Sequence, residues 1–527
     1  MRCYYITVAS FYVQNFGCRA TQADGAAIEH QFEERGLQRA GDPADAEIVV
    51  LNTCTVTSAA DQDARAAIRR VHRANPQARI VVTGCYAQRS PDELASLPGV
   101  TQVIGNSHKH KLAELTVLGI ENAAIAPDPE TLSRPQAKPG SFVPLTVLLA
   151  ENLELRTENS IYVSDIFAHT ELLAAPVFDA ANERTRPNLK VQDGCDNRCS
   201  FCVIPYVRGQ SRSLKLDDVL HEVRILVEAG YRELVISGIN LGRWGRDFPG
   251  VGQSLLVNRQ SLASASSHGH DRRLTTADRG HLFPDERLAT SDLRLATLIH
   301  AILDQTTLEK LRISSVEPMD WTDELISLVA NSPRIAKHAH VPMQSGSDAV
   351  LRRMHRKYRP WHYREKIEKI HAAMPTAAIG ADVMVGFPGE TDAEFEETRH
   401  MVESLPFTYL HVFTYSARPG TPAAEMPNQL SASVTRERNR ILRELAMEKK
   451  RSFMRSFVGK SVQAITLRAD HCGIHADTYA GCVETTEALT DNYLKLRLDR
   501  RSESNRWIHV DIRSLEEDAL VGIPASR

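Results

Sequence analysis

Cys195, Cys199 and Cys202 lie in the run Val191-Gln-Asp-Gly-Cys-Asp-Asn-Arg-Cys-Ser-Phe-Cys-Val-Ile-Pro-Tyr-Val-Arg-Gly209. The spacing C-x3-C-x2-C puts three thiolates on one tight loop with no fourth cysteine or histidine nearby. A 4Fe–4S cube held there would keep one iron free for a substrate. A structural zinc site normally closes with four Cys or His ligands, and the nearest histidine, His221, lies well down the following helical pattern. Zinc and a plain cluster of packed cysteines remain the alternative readings. Against packing, Asp193, Gly194, Asp196, Asn197 and Arg198 make the run a polar turn rather than a core strand.

Three further cysteines repeat one placement. Cys18 sits in Gln14-Asn-Phe-Gly-Cys-Arg-Ala-Thr21, Cys54 in Ile48-Val-Val-Leu-Asn-Thr-Cys-Thr-Val-Thr57, and Cys85 in Ile80-Val-Val-Thr-Gly-Cys-Tyr-Ala-Gln88. Each follows a short apolar, β-branched run and precedes a segment that reads as a helix, such as Ser58 to Ala74. That places each thiol at the carboxyl end of a strand. In an open α/β sheet those ends face one crevice, so residues far apart in sequence converge there. The physical reading is a second three-cysteine cluster, set against buried cysteines that merely pack at strand ends. Cys3, Cys472 and Cys482 have no such partners and read as incidental.

The loop motif, with an aromatic before its last cysteine, resembles the radical S-adenosylmethionine (SAM) superfamily. Two three-cysteine sets in this order resemble the methylthiotransferases within it, over roughly three quarters of the chain. The wording Asn52-Thr-Cys-Thr-Val-Thr57 and Thr83-Gly-Cys-Tyr-Ala-Gln88 is similar to the subgroup acting on threonylcarbamoyladenosine in tRNA, the MtaB type. Phe16-Gly-Cys-Arg-Ala-Thr21 departs from the Leu-Gly-Cys-Lys-Val-Asn common in that subgroup but keeps the cysteine. The resemblance implies metal ligands Cys18, Cys54, Cys85, Cys195, Cys199 and Cys202, two 4Fe–4S clusters, and SAM. It implies that the second triad makes a radical and is catalytic, while the first presents sulfur. It also implies a tRNA substrate and a flavodoxin- or ferredoxin-type electron donor, with the sulfur donor unnamed.

The elements that must position these residues alternate. Leu234 to Asn240, Leu311 to Val316, His338 to Met343, Ile379 to Val385 and Leu410 to Tyr415 read as strands. Helical stretches such as Leu216 to Glu228 and Asp392 to Ser404 separate them. Repeated βα units give a parallel sheet curling into a barrel or part of one. The expected fold is multidomain α/β: a Rossmann-like N-terminal domain, a partial (β/α)6 radical SAM barrel as the resemblance implies, and a small C-terminal antiparallel β-barrel resembling a TRAM domain. Polar and glycine residues just after strands, Gly238, Asn240, Ser315, Glu317, Gln344, Gly346 and Gly386, are the candidates for holding SAM, because a barrel builds its site there.

Past Gly459 short β-like pieces follow, Ser461 to Leu467, Gly481 to Glu484, Tyr493 to Leu498 and Trp507 to Ile512, and small barrels of this kind commonly bind RNA. The expected domains are 1–112, a linker or insertion 113–184, a barrel 185–440 with an insertion at 248–291, and a basic helix plus small barrel 441–527. The insertions contain no cysteine.

At 527 residues and 42% hydrophobic the chain can bury more than one core. No basic stretch with a following apolar run opens it, and no apolar run approaches the ~18 residues of a membrane helix. Nine cysteines grouped in motifs point to metal binding in a reducing compartment, hence the cytoplasm. A net charge of −3 argues against a generally basic nucleic-acid binder. The bases Arg436, Arg438, Arg440, Arg443, Lys449, Lys450, Arg451, Arg455 and Lys460 nevertheless form a local positive stripe on an expected helix, suited to phosphates or simply to solvent. A monomer is expected. Rival readings are the same chemistry on isopentenyladenosine or a ribosomal protein, another radical SAM reaction, and a non-catalytic zinc-stabilised RNA-binding protein.

Overall fold

The computed structural model describes residues 9–117, 160–168, 185–248, 294–467 and 485–525. The cysteines read as incidental, the candidate strand 481–484 and most of both expected insertions lie outside these residues. The chain divides into two units, residues 1–173 with 206–208, and 174–205 with 209–527.

In the first unit, six strands form one parallel sheet: β1 (Ser10–Asn15), β2 (Gln38–Arg39), β3 (Ile48–Thr53), β4 (Arg79–Gly84), β5 (Val100–Gly105) and β6 (Ser160–Tyr162), in the order β2-β1-β3-β4-β5-β6. Alternate residues of each strand serve opposite faces. Val49, Leu51, Ile80 and Val82 pack with Ala64, Ile68 and Val71 of the Ser58–Ala74 helix. Ile48, Val50 and Val81 pack with Ile28 and Phe32 of the Arg19–Glu33 helix. A strand buried on both faces must be apolar throughout, as Ile48-Val-Val-Leu51 is. The order is the flavodoxin-like form of the doubly wound fold, whose switch point lies between the first strand and its neighbour on the far side from β2.

The second unit contains six parallel strands with helices between them. They are β7 (Asn188–Asp193), β9 (Glu233–Gly238), β10 (Lys310–Ile313), β11 (His338–His340), β12 (Ala378–Val385) and β13 (Tyr409–Thr414), and β8 (Arg212–Ser213) runs antiparallel beside β7. A parallel bridge between Ser315 and His340 joins the β10 and β11 sides, so the six make the partial barrel expected. Helices Leu216–Glu228 and Asp392–Ser404 have the bounds read from sequence. The second is fixed by a capping box, Thr391 accepting from the Glu394 amide while Glu394 accepts from the Thr391 amide.

The last element of the barrel is the helix Ala432–Arg455, which runs across the boundary expected at residue 440. Its far end delivers Met454 and Phe457 into the core of a closed five-strand barrel. That barrel consists of β14 (Ser461–Thr466), β15 (Thr486–Thr490), β16 (Lys495–Leu498), β17 (Trp507–Glu516) and β18 (Ala519–Pro524). The small antiparallel barrel expected is present, and its closure uses one parallel pair, β16 with β18. The turn Thr490–Tyr493 reaches the amino ends of the large barrel's strands. Arg312, fully buried against the equally buried Glu233 at 2.6 Å, lies 5.3 Å under the Tyr493 ring. Asn492 donates to the carbonyl of Thr376 at 2.9 Å. Breaking a pair as buried as Arg312–Glu233 costs about 3–5 kcal/mol.

Candidate metal-cluster sites

Cys54 and Cys85 follow β3 and β4 directly and Cys18 follows β1 after Phe16 and Gly17, the three strands being adjacent in the sheet. Cys54 and Cys85 are buried and Cys18 is exposed. Two glycines let the strand ends approach. Gly17 has φ +98°, and a Cβ there would stand 2.6 Å from Cys54 Cβ and 2.9 Å from its Sγ. Gly84, at φ +99°, would meet the Thr53 carbonyl at 2.3 Å. Burial first, then the neighbouring Cys85 and less strongly Cys18, push the Cys54 thiol up to about 12. Asn106, just past β5, donates to Cys85 Sγ at 3.6 Å and to the carbonyl of Val207 at 2.7 Å. Below the thiols lies a buried polar layer, in which Lys109 and Arg208 both donate to Asp24 at 3.0 and 2.9 Å.

The other triad sits on the loop between β7 and β8. Gly194 takes φ +71°, where an added Cβ would fall 1.9 Å from the Gln210 carbonyl. The Cys195 amide donates to the Gly209 carbonyl at 3.1 Å, closing the loop's base. Ser200 anchors its middle, donating from its amide to Met354 O at 3.1 Å and from Oγ to Arg353 O at 2.7 Å. Side-chain donors point at the sulfurs. Asn240 Nδ2 lies 3.6 Å from Cys195 Sγ, and Arg356 lies 3.2 Å from Cys199 Sγ while also pairing with Glu317. Burial, then the adjacent Cys199, push Cys202 up to about 12, and burial also raises Cys195.

Residues 10–105 match the model of an uncharacterized protein family, UPF0004, and residues 189–241 and 281–402 match the radical SAM superfamily. A threonylcarbamoyladenosine tRNA methylthiotransferase of Aquifex aeolicus is 31% identical, with 94% of this chain and 98% of that protein aligned. The chain belongs to the radical SAM methylthiotransferase family. The Bacillus subtilis protein of the same name is 32% identical over 93% of this chain and 90% of its own length. A tRNA-2-methylthio-N(6)-dimethylallyladenosine synthase of Novosphingobium aromaticivorans is 30% identical over 87% of each.

A radical SAM methylthiotransferase transfers a sulfur-containing group and works with SAM and 4Fe–4S clusters. The donor sets here suit such clusters. Burial raises Cys54 in the first set and Cys195 and Cys202 in the second, each also feeling the charge of a neighbouring thiol, and a bound metal centre deprotonates such thiols outright. Each also has amide or guanidinium donors aimed at a sulfur, the usual surroundings of a cluster ligand.

The candidates for holding SAM occupy different surroundings. Asn240 and Glu317 stand at the cysteine loop, and Glu317 lines a cleft with Asn197, Cys199, Arg356 and Tyr358. Gly238 lies against Gln192, where a Cβ would fall 2.8 Å from Oε1. Ser315 is in the β10–β11 bridge. Gln344 holds φ +63° and leaves a buried Oε1 without a hydrogen bond. Gly386 and Gly346 pack under helices instead. A Cβ on Gly386 would meet Thr435 at 2.2 Å, and one on Gly346 would meet Thr398 Cα at 2.7 Å. Sequence reasoning missed Asn106 and Arg356. Asn106 had a signal, because it follows β5 as each cysteine follows its own strand. Arg356 had none, standing in the basic run Arg352 to Lys357.

The basic stripe is thinner than its composition. Arg438 is buried and spent on Glu390 and Asp392, Arg440 on Glu437 and Glu444, and Lys449 on the carbonyl of Glu403. Arg436, Arg443, Arg451 and Arg455 remain exposed. Among the described residues no helix is long and apolar enough to cross a membrane.

Proposed function

We propose that this chain replaces the C-2 hydrogen of N6-threonylcarbamoyladenosine, beside the tRNA anticodon, with a methylthio group. The observation that carries the reading is the pair of three-cysteine sets, one at three adjacent strand ends and one on the β7–β8 loop, which together take up all six cysteines among the described residues. Cys18, Cys54 and Cys85 hold one 4Fe–4S cluster and Cys195, Cys199 and Cys202 the other. Bound there, the loop cluster supplies the electron that cleaves SAM and the strand-end cluster supplies sulfur. An aromatic C–H is too inert for acid–base chemistry, which is why the radical is needed.

The chain's own side chains tune and orient. Arg356 and Asn240 donate hydrogen bonds to ligand sulfurs, which sets how readily an electron is accepted. Glu317 pins Arg356 and offers a carboxylate to the cleft. Asn106 steadies Cys85. Exposed bases on the Ala432–Arg455 helix and the small barrel meet the RNA. The reading places a monomeric enzyme in the reducing cytoplasm with a one-electron donor of flavodoxin or ferredoxin type.

Support for the threonylcarbamoyl substrate comes from the names of the Aquifex and Bacillus relatives and from the wording around Cys54 and Cys85. The similarly placed Novosphingobium relative favours a second reading, a dimethylallyladenosine substrate. Nucleoside mass spectrometry of tRNA from a deletion strain separates them. Loss of the methylthio form of threonylcarbamoyladenosine alone supports the first, loss of the dimethylallyl form supports the second, and unchanged nucleosides defeat both.

A further inference from the structure

One face of the three-strand sheet β11–β13 carries a row of imidazoles. On β11 to β13 the residues Ala339, Ile379, Ala381, Val383 and Val385 are fully buried, and those alternating with them are His338, His340, Gly380, Asp382, Tyr409 and His411. Register makes Asp382 and His411 direct partners, while His340 pairs with Gly380 one row back. Three potential ligands from three neighbouring strands thus meet. Their ligand atoms all lie within 4.8 Å of one another.

We propose that His340, Asp382 and His411 bind a divalent transition metal, with zinc-type preference, through two imidazoles and one carboxylate. Donors sharing one such ion at ~2.0–2.2 Å sit roughly 3–3.6 Å apart. His340 Nε2 and Asp382 Oδ1 already stand 3.3 Å apart. That nitrogen is buried and makes no hydrogen bond, so it lies beside the carboxylate with its lone pair or proton unused. His411 is exposed and its ring lies 5.6 Å from that of His340, so a small side-chain rotation completes the set. Aromatic packing restrains both rings. Tyr409 stacks on His340 at 6.0 Å and 18°, abuts His411 at 5.4 Å, and shares a 2.7 Å hydrogen bond with His338 Nε2. Gly380 makes room for that ring, since a Cβ there would fall 2.0 Å from Tyr409 Cζ.

The site is joined to the turn after β11. The carbonyl of Asp382 accepts from the amides of Met343 and Gln344 at 3.1 and 2.8 Å. An ion on the Asp382 side chain would stiffen the strand segment on which the Gln344 turn hangs.

The test uses anaerobic full-length protein with its full iron and sulfide complement, titrated with Zn²⁺ alone. The wild type is expected to take up one zinc per chain, and His411→Ala and Asp382→Asn each to weaken that uptake by more than about tenfold. Zinc X-ray absorption is expected to show nitrogen and oxygen neighbours. His411 is exposed, so its replacement should leave the fold intact, which circular dichroism checks. No uptake by the wild type, uptake as tight as the wild type's in both variants, or sulfur neighbours around zinc would each overturn the proposal. These readouts are independent of tRNA modification, so failure here and failure of the proposed function are told apart.

Discussion

The two thiol sets reach similar ends by opposite means. Cys195, Cys199 and Cys202 are neighbours in sequence, and a single loop shaped by Gly194 and anchored through Ser200 gathers them. Cys18, Cys54 and Cys85 are scattered along the chain and meet only because β1, β3 and β4 are adjacent. The first set depends on local turn geometry and the second on a completed sheet. A loop site is therefore vulnerable to a change in one turn, a strand-end site to anything that loosens strand order.

Removing a ligand from either set should have the largest effect. Two four-iron clusters give about eight irons per chain, and Cys195→Ala or Cys54→Ala should each leave about four. The variants should differ in activity, with Cys195→Ala abolishing SAM cleavage and Cys54→Ala keeping it while sulfur insertion stops. Equal loss of 5′-deoxyadenosine in both would erase the distinction between the sets.

Next come the glycines, which attack geometry and spare every ligand. A side chain at Gly17 or Gly194 meets a positive φ, at about 1–3 kcal/mol of strain, and a steric clash as well. Gly17→Ala should deplete the strand-end cluster and preserve SAM cleavage, and Gly194→Ala should do the reverse. Iron analysis paired with the cleavage assay reads both.

A smaller effect is expected at Arg356. Its hydrogen bond to Cys199 Sγ favours the more negative, reduced cluster, so Arg356→Met should lower the midpoint potential by on the order of 50–100 mV. Asn106→Ala, acting on Cys85 in the other set, should leave that potential unchanged. The smallest expected effect is on the helix. Replacing Arg451 and Arg455 together with Ala should weaken tRNA binding several-fold and reduce the salt slope by about two. Arg440→Ala should do almost nothing, because Glu437 and Glu444 already neutralise it. A filter-binding titration over salt would contradict the RNA platform if the double variant and Arg440→Ala bound alike.

What the sequence disclosed follows the same divide. The starts of the Ser58–Ala74 and Asp392–Ser404 helices were legible because Thr57 and the Thr391–Glu394 box cap their first turns locally. The strand-end placement of Cys54 and Cys85 was legible because apolar runs buried on both faces stop abruptly at a thiol, and Cys18 because Gly17 breaks the chain between a strand and a helical pattern. The guanidinium at Cys199 was not, since contact between Arg356 and a residue 157 positions away leaves no local mark. Neither did the parallel β16–β18 pair or the three-strand meeting of His340, Asp382 and His411, which depend on register between strands.

The turn Thr490–Tyr493 sets how a truncation should be understood. Tyr493 lies 4.9 Å from the His338 ring and 6.2 Å from that of Tyr409, while Arg312 and Glu233 are sealed beneath it. The small barrel is thus also a stopper for the large one, closing the end opposite the cysteine loop. Cutting the chain after Gly459 would pull that stopper, let water onto a dry ion pair and weaken the reaction chamber along with RNA affinity. A chain lacking these residues should melt earlier even where no RNA is present, and the RNA contribution is better isolated by point changes on the exposed helix face.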